Sequence, residues 1–98
     1  MNANEYINGM ADLLCTTSAD YVRIEDVNGK KRIAAKFHSV SEMNAEMKKA
    51  FIANAETLKA LNTGLKALRA SGEIKSATNC WAPTLLEGGI ELRMDFGF

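Results

Sequence analysis

The dipeptide Asn28-Gly29 constrains the fold of this chain more than any other feature of its sequence. Two segments that can form strands, Tyr21–Val27 and residues 30–38, flank it directly. Asn-Gly is the preferred loop of a type I′ turn, in which both loop residues have a positive φ angle, so the sequence predicts a β-hairpin. A two-residue loop also fixes which residues of the two strands stand opposite each other.

The side chains of the two strands fit the register that this loop imposes. On one face the loop pairs apolar residues with each other, Ile24 with Ile33 and Val22 with Ala35. On the other face and near the turn it pairs polar residues, Glu25 with Arg32, Asp26 with Lys31 and Tyr21 with Lys36. Cross-strand energetics favour both kinds of pair. A slip of one residue would move Ile33 to the charged face, so the register is well specified.

A short helix is predicted over residues 4–15. Apolar side chains recur there every three or four residues, and Asn2 followed by Glu5 is typical of a capping box. Gly9 lies inside this helix and destabilises it by about 1 kcal/mol relative to alanine. We therefore expect the helix to depend on packing against the rest of the protein.

A second and much longer helix is predicted over residues 40–71. Ser39 with Glu42 three residues later predicts its start, and Gly72 predicts its end. The apolar stripe stays in phase across residues 62–64, which are poor helix formers. We therefore predict one continuous or bent helix rather than two separate ones.

The C-terminal residues 90–98 alternate without a fault, and this pattern predicts a strand. The residues that should face the core are Ile90, Leu92, Met94, Phe96 and Phe98. A less regular partner strand is predicted over residues 73–81, with a turn at 87–89. The predicted fold class is α+β: an antiparallel sheet of two β-hairpins packed on one long helix, with a short N-terminal helix, in the order α-β-β-α-β-β. We expect one domain over residues 1–98.

The length of the second helix predicts self-association. A helix of about 32 residues would be about 48 Å long, whereas a compact domain of this size is only about 33 Å across. The overhanging half would expose four leucines, Leu58, Leu61, Leu65 and Leu68. We expect a second copy of the chain to cover them, because two-fold homo-oligomers are common. The alternative is a bend near Gly64 that returns the leucines to the chain's own sheet.

Sites for chemistry are sparse in this sequence. His38 with Cys15 or Cys80 contains the residue types of a nucleophile and its base, but no spacing supports that arrangement. Neither cysteine lies in a paired metal-ligand motif, and no glycine-rich phosphate loop is present. We therefore expect no metal and no cofactor. In the absence of a secretory signal, we expect reduced, buried thiols in a cytoplasmic protein, with a single disulfide as the alternative.

The uncovered face of the predicted sheet is the candidate binding surface. Its aromatic and basic residues should be Tyr21, Arg23, Arg32, Lys36, His38, Trp81 and Arg93. Such a face is typical of platforms that bind single-stranded nucleic acid. Its acidic residues should be Glu25, Glu73, Glu91 and Asp95. These carboxylates, together with twelve basic against twelve acidic residues in the chain, argue against nucleic acid or a membrane surface as the partner.

We therefore expect a small non-enzymatic protein–protein interaction domain of the accessory, adaptor or inhibitor type. It would associate with itself through the long helix and would also bind an unidentified protein. The second hypothesis is a ligand- or single-stranded nucleic-acid-binding module that uses the exposed sheet face. An enzyme that uses a cysteine with His38 is the third.

Overall fold

The computed structural model describes the backbone of residues 1–98 and the side chains of residues 1–78 and 83–98. Within this backbone, four strands form one open antiparallel sheet and three segments are helical, so the fold class is α+β, as predicted. In chain order the elements are α1 (Ala3–Leu14), β1 (Tyr21–Val27), β2 (Lys30–Phe37), α2 (Val40–Ala53), α3 (Ala55–Ser71), β3 (Ser76–Leu86) and β4 (Gly89–Gly97). None of the described helices is both long enough and apolar enough to cross a membrane.

The first hairpin has the structure that its loop predicts. Asn28 and Gly29 have φ angles of 52° and 77°, and a type I′ turn requires positive φ at both positions. β1 pairs with β2 in the predicted register, with Ile24 opposite Ile33. The first hairpin is therefore confirmed in its position, turn and register.

The four strands lie in the order β1-β2-β4-β3, so the two hairpins are joined through β2 and β4. This order makes β1 and β3 the two edges of the sheet. β3 pairs with β4, and their register shifts between Cys80 and Thr84. The prediction that Phe98 faces the core is wrong, because β4 ends at Gly97 and the Phe98 side chain beyond it is 46% exposed.

The helix termini follow the predicted capping residues. The Asn2 side chain accepts a hydrogen bond from the Glu5 N–H at 2.8 Å, and the Glu5 carboxylate accepts one from the Asn2 N–H at 3.0 Å. The Ser39 hydroxyl accepts a hydrogen bond from the Glu42 N–H at 3.1 Å. Gly72 ends α3 in the left-handed conformation, with φ at 81°. These caps satisfy backbone groups that helix ends leave unpaired.

The prediction of one long helix is wrong, because the chain leaves the helical conformation at Asn54. Its φ and ψ angles are −120° and 35°, and its side-chain amide donates a hydrogen bond to the Ala50 carbonyl at 2.8 Å. Asparagine offers the backbone this alternative to a continuing helix. No break occurs at Gly64, which lies within α3. A Cβ at Gly64 would lie 2.6 Å from the Met1 sulfur, so close packing accounts for glycine there.

Buried side chains of the three helices and of one face of the sheet form a single core. α1 contacts β1 and β2 and also packs against α3. A Cβ at Gly9 would lie 2.8 Å from Leu61 Cδ2, so the glycine that weakens α1 in isolation allows the two helices to approach closely. The largest fully buried side chains are Leu14, Ile33, Phe37, Met43, Ile74 and Leu92. The described helices leave the opposite face of the sheet uncovered, and we call it the open face.

Candidate functional site

The open face brings together most of the residues that the sequence predicts as a binding surface. Its basic and aromatic residues are Tyr21, Arg23, Lys30, Arg32, Lys36 and Arg93, and its acidic residues are Glu25, Glu91 and Asp95. His38 is exposed just beyond β2, with its Nε2 3.3 Å from Asp20 Oδ1. The Trp81 side chain lies outside the described residues. Glu73 is not on this face, because it precedes β3 and its carboxylate accepts a hydrogen bond from the Ala3 N–H.

Three cations of the open face on β2 and β4, namely Arg32, Lys36 and Arg93, are paired with carboxylates. Arg32 stands opposite Asp95 and binds it with two hydrogen bonds, Nε to Oδ1 at 2.8 Å and Nη2 to Oδ2 at 3.1 Å. Arg93 Nε donates to Glu91 Oε1 at 2.6 Å, and Lys36 Nζ lies 2.9 Å from Asp20 Oδ2. A guanidinium that holds a carboxylate through two bonds has little attraction left for a phosphate.

Glu91 is a buried carboxylate at the centre of this face. It is only 7% exposed, and it accepts hydrogen bonds from the Tyr21 hydroxyl and from Arg93. Burial raises the pKa of Glu91, but the hydrogen bonds from Tyr21 and Arg93 outweigh burial and the pKa lies below its ordinary value. The hydrogen bond to Glu91 raises the pKa of Tyr21. The centre of the open face is therefore a satisfied polar network.

The Arg32–Asp95 pair predicts that acid destabilises the fold. The hydrogen bond from Arg32 lowers the pKa of Asp95 below its value in the unfolded chain. The pair therefore contributes stability that is present above about pH 4 and is lost as the pH falls through the folded-state pKa. In urea titrations between about pH 6 and about pH 3, the stability of Asp95→Asn should fall less than that of the unmodified protein.

The matched control for this experiment is Asp12→Asn. Asp12 is exposed on α1, and no described cation forms an ion pair with it. Its variant should lose stability with acid in parallel with the unmodified protein. An equal loss of stability in Asp95→Asn and Asp12→Asn would contradict the role assigned to the Arg32–Asp95 pair.

The charges on the edge strand β1 differ from those at the centre of the sheet. The Arg23 guanidinium lies 3.9 Å from the centre of the Tyr21 ring, and no described carboxylate lies within ion-pair distance of it. Glu25 stands opposite Arg32, but Arg32 binds Asp95. Glu25 likewise forms no ion pair with a described cation. β1 therefore presents one unpaired cation and one unpaired anion two residues apart.

No known protein family matches this chain. Comparison with curated proteins and with solved structures also finds no match.

The backbone of β1 has hydrogen-bonding groups that face away from the sheet. In a hairpin with a two-residue loop, the residues that flank the loop form a hydrogen-bonded pair, and such pairs then alternate along the strands. Val27 pairs with Lys30 beside this loop. The N–H and C=O groups of Val22, Ile24 and Asp26 therefore point towards the free edge. The Ile24 side chain is 42% exposed there.

The four leucines that the sequence predicts to be exposed as an oligomer face are buried or half-buried in the structure. Leu61 and Leu68 are buried within a single chain, and Leu58 and Leu65 are half-buried against the core. The helix break at Asn54 removes the overhang on which the helix-mediated association was based. The sequence contains one further relevant feature, because Arg23 and Glu25 lie symmetrically around Ile24. This symmetry matters only if β1 is an edge strand, and that depends on the strand order.

Of the two predicted cysteine side chains, the structure describes only that of Cys15. Cys15 is free and exposed, not buried as predicted, because it follows the last residue of α1 as its C-cap. The Cys80 side chain lies outside the described residues. Among the described side chains, no three histidine, cysteine or acidic residues are grouped as a metal site would require.

Proposed function

We propose that this chain is a non-enzymatic protein–protein interaction domain of the cytoplasm that acts by strand pairing at the β1 edge, and that its first partner is a second copy of itself. The observation that carries the proposal is the self-complementary sequence of β1, residues Tyr21–Val27. The free, exposed thiol of Cys15 supports a reducing compartment.

Antiparallel pairing about a two-fold axis at Ile24 matches the open-face side chains of the two copies. Arg23 of each copy stands opposite Glu25 of the other, which pairs the two charges that β1 leaves unpaired within one chain. Tyr21 stands opposite Val27, and an aromatic residue opposite a β-branched one is a favourable cross-strand pair. Because the axis passes through the middle residue of β1, the whole strand takes part.

The backbone geometry agrees with the same axis. Ile24 stands opposite Ile24 of the second copy, and Val22 stands opposite Asp26. These are the residues whose N–H and C=O groups point to the free edge, so about six backbone hydrogen bonds join the copies. The pairing also covers the exposed Ile24 side chain with its own symmetry mate. Asp26 keeps its ion pair with Lys31, at 2.7 Å.

The β1 edge suits this role better than the β3 edge. β1 is a regular seven-residue strand without proline or glycine, whereas β3 contains Pro83 and has a shifted register. Proline and irregular register are devices that protect an edge from pairing. The open face is a weaker candidate for nucleic acid, because Arg32, Lys36 and Arg93 already bind carboxylates.

The expected affinity is modest. Cross-strand pairs contribute about 0.2–1 kcal/mol each, and an interface made by one strand is small. We expect a dissociation constant on the order of 10–100 μM. We also expect association to be selective, because a strand with another order of charges would place like charges opposite Arg23 or Glu25.

Solution mass over a dilution series tests the proposal. Light scattering from about 1 μM to about 1 mM should show the 10.7 kDa chain rising towards twice that mass. Ile24→Lys should remain a monomer over this range, because it places two ammonium groups opposite each other at the axis. The matched control is Ile52→Lys, at an isoleucine that is 70% exposed on α2, and it should associate normally. A constant monomer mass for the unmodified protein, or equal association of the two variants, would refute strand pairing at β1.

A further inference from the structure

A cavity of about 290 Å³ lies between α3 and the β3–β4 side of the sheet. It exists because α3 packs against α1 and leaves a gap over these strands. Its inner lining consists of the buried side chains of Tyr6, Met10, Met94 and Phe96. The Tyr6 and Phe96 rings meet edge to face, with their centres 5.5 Å apart. The interior of this cavity is therefore predominantly apolar.

The outer wall of the cavity is one stripe of α3. Leu58, Asn62, Leu65 and Arg69 recur at helical spacing and all line the cavity. Leu58 and Leu65 are half-buried, whereas Asn62 and Arg69 are exposed. Hydrogen-bond donors thus stand at the outside of a predominantly apolar space.

Arg69 is the one cation among the described lining residues. No described carboxylate lies within ion-pair distance of its guanidinium. This contrasts with the arginines of the open face on β2 and β4, which bind Asp95 and Glu91. An unpaired guanidinium beside an apolar space is suited to a ligand that has both an anionic and an apolar end.

We infer that this cavity binds a small carboxylic acid with an apolar body of about eight carbon atoms. An apolar cavity of about 150 Å³ already binds benzene, and ligand pockets begin at about 300 Å³, so the observed volume fits a short chain or a single ring. The carboxylate accepts hydrogen bonds from Arg69, with the Asn62 side-chain amide as a further donor. The apolar body extends between Leu58 and Leu65 towards Met94. This inference is independent of strand pairing at β1.

Amide NMR titration with octanoate tests the inference, with 1-octanol as the uncharged ligand of equal chain length. Octanoate should shift the amide signals of α3 and of Ala77 and Thr78 saturably, at concentrations up to about 10 mM. Arg69→Gln should weaken octanoate binding roughly tenfold and leave the weaker binding of 1-octanol nearly unchanged. The matched control is Lys66→Gln, which removes a neighbouring α3 cation that does not line the cavity, and it should bind octanoate normally.

A second variant tests the location of the apolar body. Ala77→Leu adds side-chain volume to the cavity wall and should abolish octanoate binding while the circular dichroism spectrum stays that of the folded protein. The inference is overturned if octanoate causes no saturable shifts, or if the shifted amides lie away from α3 and β3. It is also overturned if Arg69→Gln and Lys66→Gln bind octanoate equally, or if folded Ala77→Leu binds it as the unmodified protein does.

Discussion

Phe37→Ala is expected to lower the free energy of unfolding by about 3–5 kcal/mol. The Phe37 side chain is fully buried, and it lies at the end of β2 beneath the helices, where β2 pairs with Ile90 of β4. Its removal leaves a cavity in the core that joins the two hairpins. A domain of this size has a total stability of about 5–15 kcal/mol, so the variant should be largely unfolded at moderate urea concentration. Urea denaturation followed by circular dichroism measures the difference.

Phe98→Ala is the matched control for this prediction. Phe98 is the same residue type, but it is 46% exposed and lies beyond the end of β4. Its replacement should change the free energy of unfolding by less than about 1 kcal/mol. Equal destabilisation by the two variants would contradict the packing of the helices on the β2–β4 side of the sheet.

The first hairpin was predictable because its signals are local. Asn28-Gly29 selects the turn, and the turn alone sets the register of the strands beside it. The same is true of the helix caps at Asn2 and Ser39, where a side chain binds a backbone group three residues away. Short-range chemistry of this kind can be read without knowledge of the rest of the fold.

The break at Asn54 was not predictable from periodicity. The apolar stripes before and after it remain in phase, and asparagine is only moderately unfavourable within a helix. The position of α3 is set by contacts between residues that are far apart in sequence, such as Leu61 with Gly9 and Met1 with Gly64. The local weakness at residues 62–64 was visible in the sequence, but close packing of helices accounts for its glycine.

The candidate site could be predicted only in part. Alternation placed Tyr21, Arg23, Arg32, Lys36 and Arg93 on one face of the sheet. It could not show that Arg32 and Arg93 are neutralised within the sheet, because this depends on β4 lying beside β2. Strand order is a long-range property, and the same order makes β1 an edge. The symmetric placement of Arg23 and Glu25 around Ile24 favours pairing with a second copy only because β1 is an edge strand.

Charge reversal on β1 is expected to have the largest effect on association. In the proposed dimer, Arg23→Glu places a carboxylate opposite Glu25 of the second copy, and symmetry repeats this contact. Glu25→Arg has the same effect with two guanidinium groups. Each single variant therefore replaces two favourable pairs by two repulsive ones, and its dissociation constant should rise roughly 30-fold or more at low salt.

Restoring the opposite charges should restore association. The double variant Arg23→Glu with Glu25→Arg places an anion opposite a cation again, in the reverse order, so it should dimerise with nearly the affinity of the unmodified chain. An equimolar mixture of the two single variants should also form a dimer, because one chain then presents two anions on β1 and the other presents two cations. Circular dichroism establishes that every variant is folded.

Sedimentation velocity of the two single variants, alone and mixed at the same total concentration, tests strand pairing at β1 most directly. The proposal predicts monomers for each variant alone and a dimer for the mixture. Two variants that associate as strongly alone as the unmodified chain, or a mixture that remains monomeric, would contradict it.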